Sequence, residues 1–527
     1  MNRLIKERIN RLAERGSMDI IAGGRKGVEK ESLRVLPNGQ LADTPHPVAL
    51  GSALTNSYIT TDFSEALLEF VTPAFTNTWE TLRVLCEIHQ FTYDRLDDEL
   101  LWVTSMPCLM ADDDDIPLAQ YGCSNVGRMK TVYRNGLGYR YGRRMQTIAG
   151  VHFNYSLPDK FWAEFSELEE SVQDVDDFRS AAYMGLVRNF RQFGWLVLYL
   201  FGASPALCKS FLGDQETDLE DFNDNTYYRP FATSLRMSDL GYSNNSQAQL
   251  KISLNSVDEY IDDLTRAICR TEPEFKKIGV KVDGEYRQLR ASQLQIENEF
   301  YSPIRPKRVA RSGERPTAAL RRGGVEYVEV RSLDLNVFDP VGLNQNAMRF
   351  TEAFLIYCLL HDSPSFDDGK HAEVVHNHGT TAAHGRDPNL RLLNEGREVL
   401  LRDWAREIVD DVLAIAEVID RGEGGDAYVQ AVKAQSALVD DADLTPSSRV
   451  IQDMQENETG FYHFAMEQAR GHKAYFQSLA SLDEERLQIY TAEAADSLAK
   501  QKQIEDADQI SFDEYLEKYY SEQGCAD

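Results

Sequence analysis

GVEKESLRV, residues 27–35, follows the glycine pair Gly23 and Gly24, and its alternation suits a β-strand leaving a turn. With side chains alternating, Glu29, Glu31, Leu33 and Val35 share one face, and Val28, Lys30, Ser32 and Arg34 share the other. Two acids therefore travel with the aliphatic side chains, on the face that ordinarily meets a core. Three other segments repeat the oddity. In VEYVEVRSLDL (325–335) one face holds Val325, Tyr327, Glu329, Arg331, Leu333 and Leu335. In MQTIAGVHFNYS (145–156) Gln146, Ile148, His152 and Asn154 lie on one side. In TDFSEALLEFVTP (61–73) Asp62 and Glu69 stand at the two ends of a turn into an apolar strand, with Glu65 between them.

A carboxylate taken out of water without a partner takes up a proton, so several together require positive charge nearby. Arginines supply it in a buried ion-pair network; metal ions supply it in a binding site. Five carboxylates and one imidazole are mostly hard oxygen donors, which suit Mg²⁺, with Mn²⁺ as an alternative, over zinc or copper. Arg331, on the same face as Glu329, then reaches a phosphate held by the cations, and the reaction class becomes phosphoryl transfer. The usual nucleotide signatures are absent: there is no G-x-x-x-x-G-K-[ST], no G-x-G-x-x-G and no G-x-S-x-G. GLGYRYG (136–142) comes nearest and has the wrong spacing. A carboxylate-lined sheet that holds ATP through metals without a P-loop points, by analogy alone, to the glutamine synthetase and guanidino kinase type of architecture.

Composition narrows the partners. The 527 residues are 42% hydrophobic and 27% charged, an ordinary globular balance. A formal charge of −29 argues against nucleic acid or an anionic membrane. The local exception runs from Arg305 to Arg322, with Lys307, Arg308, Arg311, Arg315 and Arg321 set against the single acid Glu314. These residues read either as partners of acids elsewhere in the fold or as a phosphate or carboxylate site. Seven scattered cysteines without a C-x-x-C pair argue against a disulfide framework and for a reducing compartment. The N-terminal MNRLIKERINRLAERG is amphipathic and lacks a signal-peptide core. FGWLVLYLFGASPALC (193–208) is too short to span a bilayer and reads as a buried helix. A cytoplasmic monomer is expected.

Strands are expected at 27–35, 66–72, 145–157 and 325–335, and helices at 77–96, 178–201 and 256–270. From about 395 onward the pattern is mainly helical, so 1–394 is expected to be the catalytic unit and 395–527 a helical region packed on it. Asp112 to Asp115 reads as a solvated turn. Residues 362–392, with His371, His376, His378 and His384, read as a loop whose spacing matches no closed zinc pattern.

These residues lie within long stretches that carry a family likeness. GVEKESLRV, HPVALGSALTNSYITTDFSEALLEFVTP, LAQYGCSNVGRMKTVYRNGL, RYGRRMQTIAGVHFNYSLP, FATSLRMSDLGYSN, LQIENEFYSPIRPKR and GGVEYVEVRSLDLN together resemble the glutamate–cysteine ligases (γ-glutamylcysteine synthetases) of the proteobacterial type. The resemblance implies an α+β fold in which a mostly antiparallel curved sheet, flanked by helices, forms a funnel-shaped active site with magnesium at its base, and it implies ATP-dependent ligation of the L-glutamate γ-carboxyl to the L-cysteine amine. It also implies metal ligands at Glu29, Glu31, Asp62, Glu69, His152 and Glu329, and phosphate-contacting arginines at Arg236 and Arg331. For the cysteine acceptor it implies a pocket at Phe63, Tyr133, Gln146, Tyr242 and Tyr301. Arg134 is a candidate for a substrate carboxylate. A ligase of the same fold with another amine acceptor is the alternative.

Overall fold

A computed structural model describes residues 3–14, 18–109, 112–241, 250–311, 313–522 and 525. Its centre is a seven-stranded antiparallel sheet: β1 (Arg25–Val35), β2 (Ile59–Thr61), β3 (Leu67–Val71), β4 (Leu100–Leu101), β5 (Val151–Ser156), β6 (Ile304–Lys307) and β7 (Tyr327–Leu333). The spatial order is β6-β7-β5-β1-β3-β2, with β4 pairing the end of β1. The four strands expected from alternation are all present. The 145–157 segment begins instead with a 3-10 turn at Arg144–Thr147, and only its second half joins the sheet.

Around the sheet lie α1 (Thr78–Tyr93), α2 (Asn125–Tyr141), α3 (Gln345–Leu360), α4 (Leu401–Glu423), α5 (Ala427–Asp440), α6 (Phe461–Ser478) and α7 (Phe512–Ser521). Their starts follow the capping rule. Asn77, Ser124 and Asn344 each accept a hydrogen bond from an otherwise orphaned first-turn N–H, and Ser511 forms a reciprocal capping box with Glu514. Trp195–Phe201, from the long uncharged stretch, is a wholly buried helix. Among the described residues no helix is long and apolar enough to cross a membrane.

Both faces of β1 are covered. The face of Lys26, Lys30 and Arg34 is buried, and each cation there has a partner: Lys26 meets Glu352 at 2.6 Å, Lys30 approaches His89 at 3.1 Å, and Arg34 meets Glu99 at 2.8 Å. The face of Glu29 and Glu31 turns toward a cavity.

Two sequence expectations are corrected. Residues 368–384 form a helix, capped by Asp367, rather than a loop. His378 lies on that helix and donates from Nε2 to the Arg191 carbonyl at 3.0 Å. The cysteines also pair: Cys108 is bonded to Cys208 and Cys269 to Cys525, with Cα separations of 5.3 and 5.1 Å. Partners 100 and 256 residues apart leave no local spacing to read, so the inference from cysteine spacing to a reducing compartment lapses.

Candidate active site

Strand register assembles the site. Antiparallel pairing sets Glu31 opposite Glu69, Glu29 opposite His152, and Glu329 opposite Asn154. Cross-strand neighbours lie about 5 Å apart, so donors from four strands converge. His152 is their hub. Its Nδ1 is 3.1 Å from Glu29 Oε2 and 3.8 Å from Glu329 Oε1, and its Nε2 is 3.7 Å from Glu31 Oε1. Asn154 donates to Glu29 Oε1 at 3.0 Å, and the Gly150 N–H donates to Glu31 Oε2 at 2.6 Å, which fixes both carboxylates. Donor atoms of Glu29, His152 and Glu329 lie within 4.8 Å of one another, and so do those of Glu31, Glu69 and His152.

The electrostatics show a site short of positive charge. Burial drives the Glu69 carboxyl well above the ordinary range, and Glu29, Asp62 and Glu31 push it further. Glu31 is raised as well, first by burial. Glu329 moves the other way: burial alone would raise it, but Lys307 at 3.4 Å and Arg331 at 3.3 Å hold it below the usual carboxylate range. Its Oε2 is buried and accepts no hydrogen bond from a described residue. Opposed carboxylates around a hub imidazole fit hard divalent cations.

The cluster floors a cavity of about 870 Å³. Glu29, Glu31, Asp62, Glu69, His152, Glu329 and Arg331 all line it, as do Phe63, Tyr133, Arg134, Gln146 and Tyr301. Asp62 stands at the edge of the cluster, 3.8 Å from Arg134. Arg236 is buried behind the cavity wall: Nη2 donates to the Arg331 carbonyl at 2.8 Å, and Nη1 pairs with Asp334 at 3.5 Å. Tyr242 lies outside the described residues.

Sequence reasoning missed several lining residues. Lys130 sits one turn before Arg134 on α2; burial, with Arg134 beside it, lowers its ammonium to about 8. Of the basic stretch, Arg305, Lys307 and Arg315 line the cavity, while Arg308, Arg321 and Arg322 pair with Glu326, Asp262 and Glu314. The reading as partners of acids holds for Arg308, Arg321 and Arg322, and Lys307 and Arg315 also face acids, Glu329 at 3.4 Å and Glu297 at 3.7 Å. Tyr515 and Tyr519, from α7, also reach the cavity, and nothing in their local sequence marked them.

Comparison with known proteins places this geometry. A family model described as Glutamate-cysteine ligase matches residues 9–381. The chain belongs to the glutamate–cysteine ligases. It is 50% identical over 521 residues to the glutamate–cysteine ligase of Alcanivorax borkumensis, covering 98% of this chain and 99% of that one. It is 46% identical over 519 residues to that of Pseudomonas putida, covering 98% of each. Among solved structures, the glutamate–cysteine ligase of Francisella tularensis in complex with AMP superposes with a TM-score of 0.90 at 38% identity, over 96% of this chain and 99% of that one. A bifunctional glutathione synthetase from Pasteurella multocida shares the fold at a TM-score of 0.69 and 23% identity, over 92% of this chain and 57% of that one. The protein is thus a ligase that joins glutamate to cysteine, the first step of glutathione biosynthesis.

Proposed function

We propose that the cavity binds ATP, L-glutamate and L-cysteine around magnesium held by Glu29, Glu31, Asp62, Glu69, His152 and Glu329, with manganese also suited to this donor set. The reading places the site in a funnel of the glutamine synthetase and guanidino kinase type, with residues 1–394 as the catalytic unit of a monomer and 395–527 packed on it. When bound, the divalent cations supply the charge that lets a carboxylate approach a triphosphate of the same sign. The glutamate γ-carboxylate attacks the terminal phosphorus, ADP departs, and γ-glutamyl phosphate forms. The cysteine amine then attacks the acyl carbon, loses its proton and expels phosphate. The guanidinium of Arg331 presents a planar fork to phosphoryl oxygens, and Arg236 holds the Arg331 backbone in place behind it. Phe63, Tyr133, Gln146 and Tyr301 form the acceptor pocket, and Arg134 meets a substrate carboxylate. No side chain acts as a nucleophile.

The observation that carries this reading is the convergence of Glu29, Glu31, Glu69 and Glu329 on His152. The experiment is phosphate release from ATP with glutamate, with and without L-cysteine and other candidate amines. Cysteine should give the highest kcat/KM, and a faster amine would favour the alternative acceptor. Glu29→Gln and Glu329→Gln should each lose at least about a hundredfold in turnover with the fold retained, as expected when groups that stabilise transition-state charge are removed. Full turnover in either variant contradicts the metal assignment.

A further inference from the structure

Helix α4 departs from its own pattern at one position. Trp404, Ile408, Val412 and Ile415 recur at helical spacing on its buried face, and Asp411 is buried on that face with them. The surroundings account for the acid. Asp411, Glu407 and Asp410, with Trp404 and Ile408, line a second cavity of about 490 Å³ that shares no lining residue with the catalytic one. Glu395, at the turn between the paired segments Arg391–Asn394 and Arg397–Leu400, adds a fourth carboxylate. Aromatic rings complete the lining. Phe193, the last residue of the helix Val175–Phe193, stands edge to face with Tyr357, His361 and Trp404, at centroid distances of 5.4, 4.9 and 6.2 Å.

The charge of this cavity is one-sided. No lysine or arginine lines it, and the side chains of Glu395, Glu407 and Asp410 make no hydrogen bond or ion pair with a described residue. The neighbouring Arg406 is committed elsewhere, to Asp403 at 3.2 Å and Asp440 at 3.1 Å. Tyr357 adds a polar atom without a partner. It is only 3% exposed and lines the cavity, yet its hydroxyl hydrogen-bonds to no described residue. Burial first, then Cys358, Asp411 and Glu407, push its phenol well above the ordinary range, so it keeps its proton among those acids. A polar group removed from water gains most from a ligand that completes its hydrogen bonding.

These features select the occupant. A hard divalent ion needs several oxygens at one point, and among the described residues donor atoms converge within 4.8 Å only in the catalytic cluster. Carboxylates set apart from one another, beside aromatic faces, suit instead a cation whose charges are separated by apolar carbon. Its ammonium groups pair with carboxylates and lie against ring faces, while its methylenes pack on Phe193, Trp404 and Ile408. We propose that this cavity is a binding site for a small aliphatic diamine or polyamine. Glu395, Glu407 and Asp410 receive its ammonium groups, and the Tyr357 hydroxyl oxygen accepts a hydrogen bond from one of them. No residue of the catalytic cavity takes part, so the assignment stands apart from the ligase reaction.

The test is calorimetric titration of the full-length protein with spermidine and with 1,4-diaminobutane, with excess magnesium present to compete for the catalytic carboxylates and the general acidic surface. Wild type should bind one equivalent of spermidine. Butylamine, with one charge on a similar stem, should bind at least about tenfold more weakly, because one of the ion pairs is lost. Glu407→Gln combined with Asp410→Asn changes two exposed side chains, so the fold should be retained, and it should weaken spermidine about tenfold. Tyr357→Phe keeps the ring, loses only the hydroxyl and should weaken spermidine about fivefold. A control pair on another helix, Glu484→Gln with Glu485→Gln, should leave the affinity within about twofold, as expected for exposed charges away from the cavity. Turnover without amine should match wild type in both double variants. Absence of spermidine binding by wild type overturns the proposal, and so does equal affinity in wild type and the Glu407/Asp410 variant. A loss as large in the control pair assigns the binding to the acidic surface as a whole and overturns it too. Butylamine binding as tightly as spermidine overturns the claim that separated charges are read.

Discussion

Glu69 shows what a strand register can do to a single side chain. Placed opposite Glu31 and within reach of Glu29 and Asp62, it is buried among charges of its own sign, and burial first and those neighbours second push its carboxyl upward. In the metal-free protein it therefore holds a proton at pH values where a free glutamate has lost it. A cation binds only the ionised form, so binding must release that proton, and affinity rises with pH until Glu69 ionises unaided. Calorimetry of magnesium binding in two buffers of different ionisation enthalpy should show more proton release in wild type than in Glu69→Gln, where only Glu31, raised in the same way, still gives up a proton. Equal proton release in wild type and variant would remove Glu69 from the ligand set. The convergence of these acids was legible because alternation is strict in a strand: once Glu29 and Glu31 share a face with Leu33, their placement against a neighbouring strand follows. Arg236 was less legible. Its place behind Arg331 depends on contacts with Asp334 and a carbonyl that no single segment encodes.

Elements carry the same contrast. Strands with period-two patterning were readable, whereas the helix over 368–384 was not, because its buried face is Glu373, Asn377 and Thr381 alongside Val374 and Ala382, a mostly polar stripe without an apolar period. His378 belongs to that packing. Burial first and Arg191 second push its imidazole down to about 3, against 6.5 in an unfolded chain. Between those values the unfolded state binds one more proton than the folded one, so stability falls as pH drops from about 6.5 toward 3. His46 and His472, both lowered to about 4 chiefly by burial, add to the same acid-side loss. Urea unfolding between pH 6.5 and 4.5 should show a slope smaller by one proton in His378→Gln, whose amide still donates to the Arg191 carbonyl; an unchanged slope would mean His378 is not held neutral. Just before β5 the critical position is Gly150. A Cβ there would collide with the Arg236 guanidinium, which is held by Asp334 and the Arg331 carbonyl. Gly150→Ala should therefore displace Arg331 and lower kcat about tenfold or more while the protein stays folded. Wild-type turnover in that variant would show that Arg236 does not position Arg331.

At the scale of the molecule, one hydrophobic cluster runs from Ile5 to Cys525, so the helices after residue 400 share a core with the catalytic sheet. β1 is the plate between the two environments, with Glu29 and Glu31 facing the cavity and Lys26 facing the helices. Lys26 meets Glu352 on α3 at 2.6 Å with both side chains fully buried, and the Tyr428 hydroxyl on α5 donates to the same carboxylate oxygen at 2.7 Å. The pair fixes the start of β1 against two helices far away in the chain, a pairing the sequence does not disclose because Lys26 and Glu352 each look like surface residues in isolation. A buried ion pair has two separable consequences. Removing one partner strands the other charge in a medium that cannot solvate it, at a cost of about 3–5 kcal/mol, whereas replacing both with apolar side chains of similar volume is often neutral. Glu352→Gln should therefore lower the unfolding free energy by about 3 kcal/mol in urea titration. Lys26→Met combined with Glu352→Met should recover most of that loss, because no charge is left unpaired between sheet and helices. If the double variant is as unstable as the single, the Tyr428 contact and the packing around α3, and not the lone charge of Lys26, hold β1 in place.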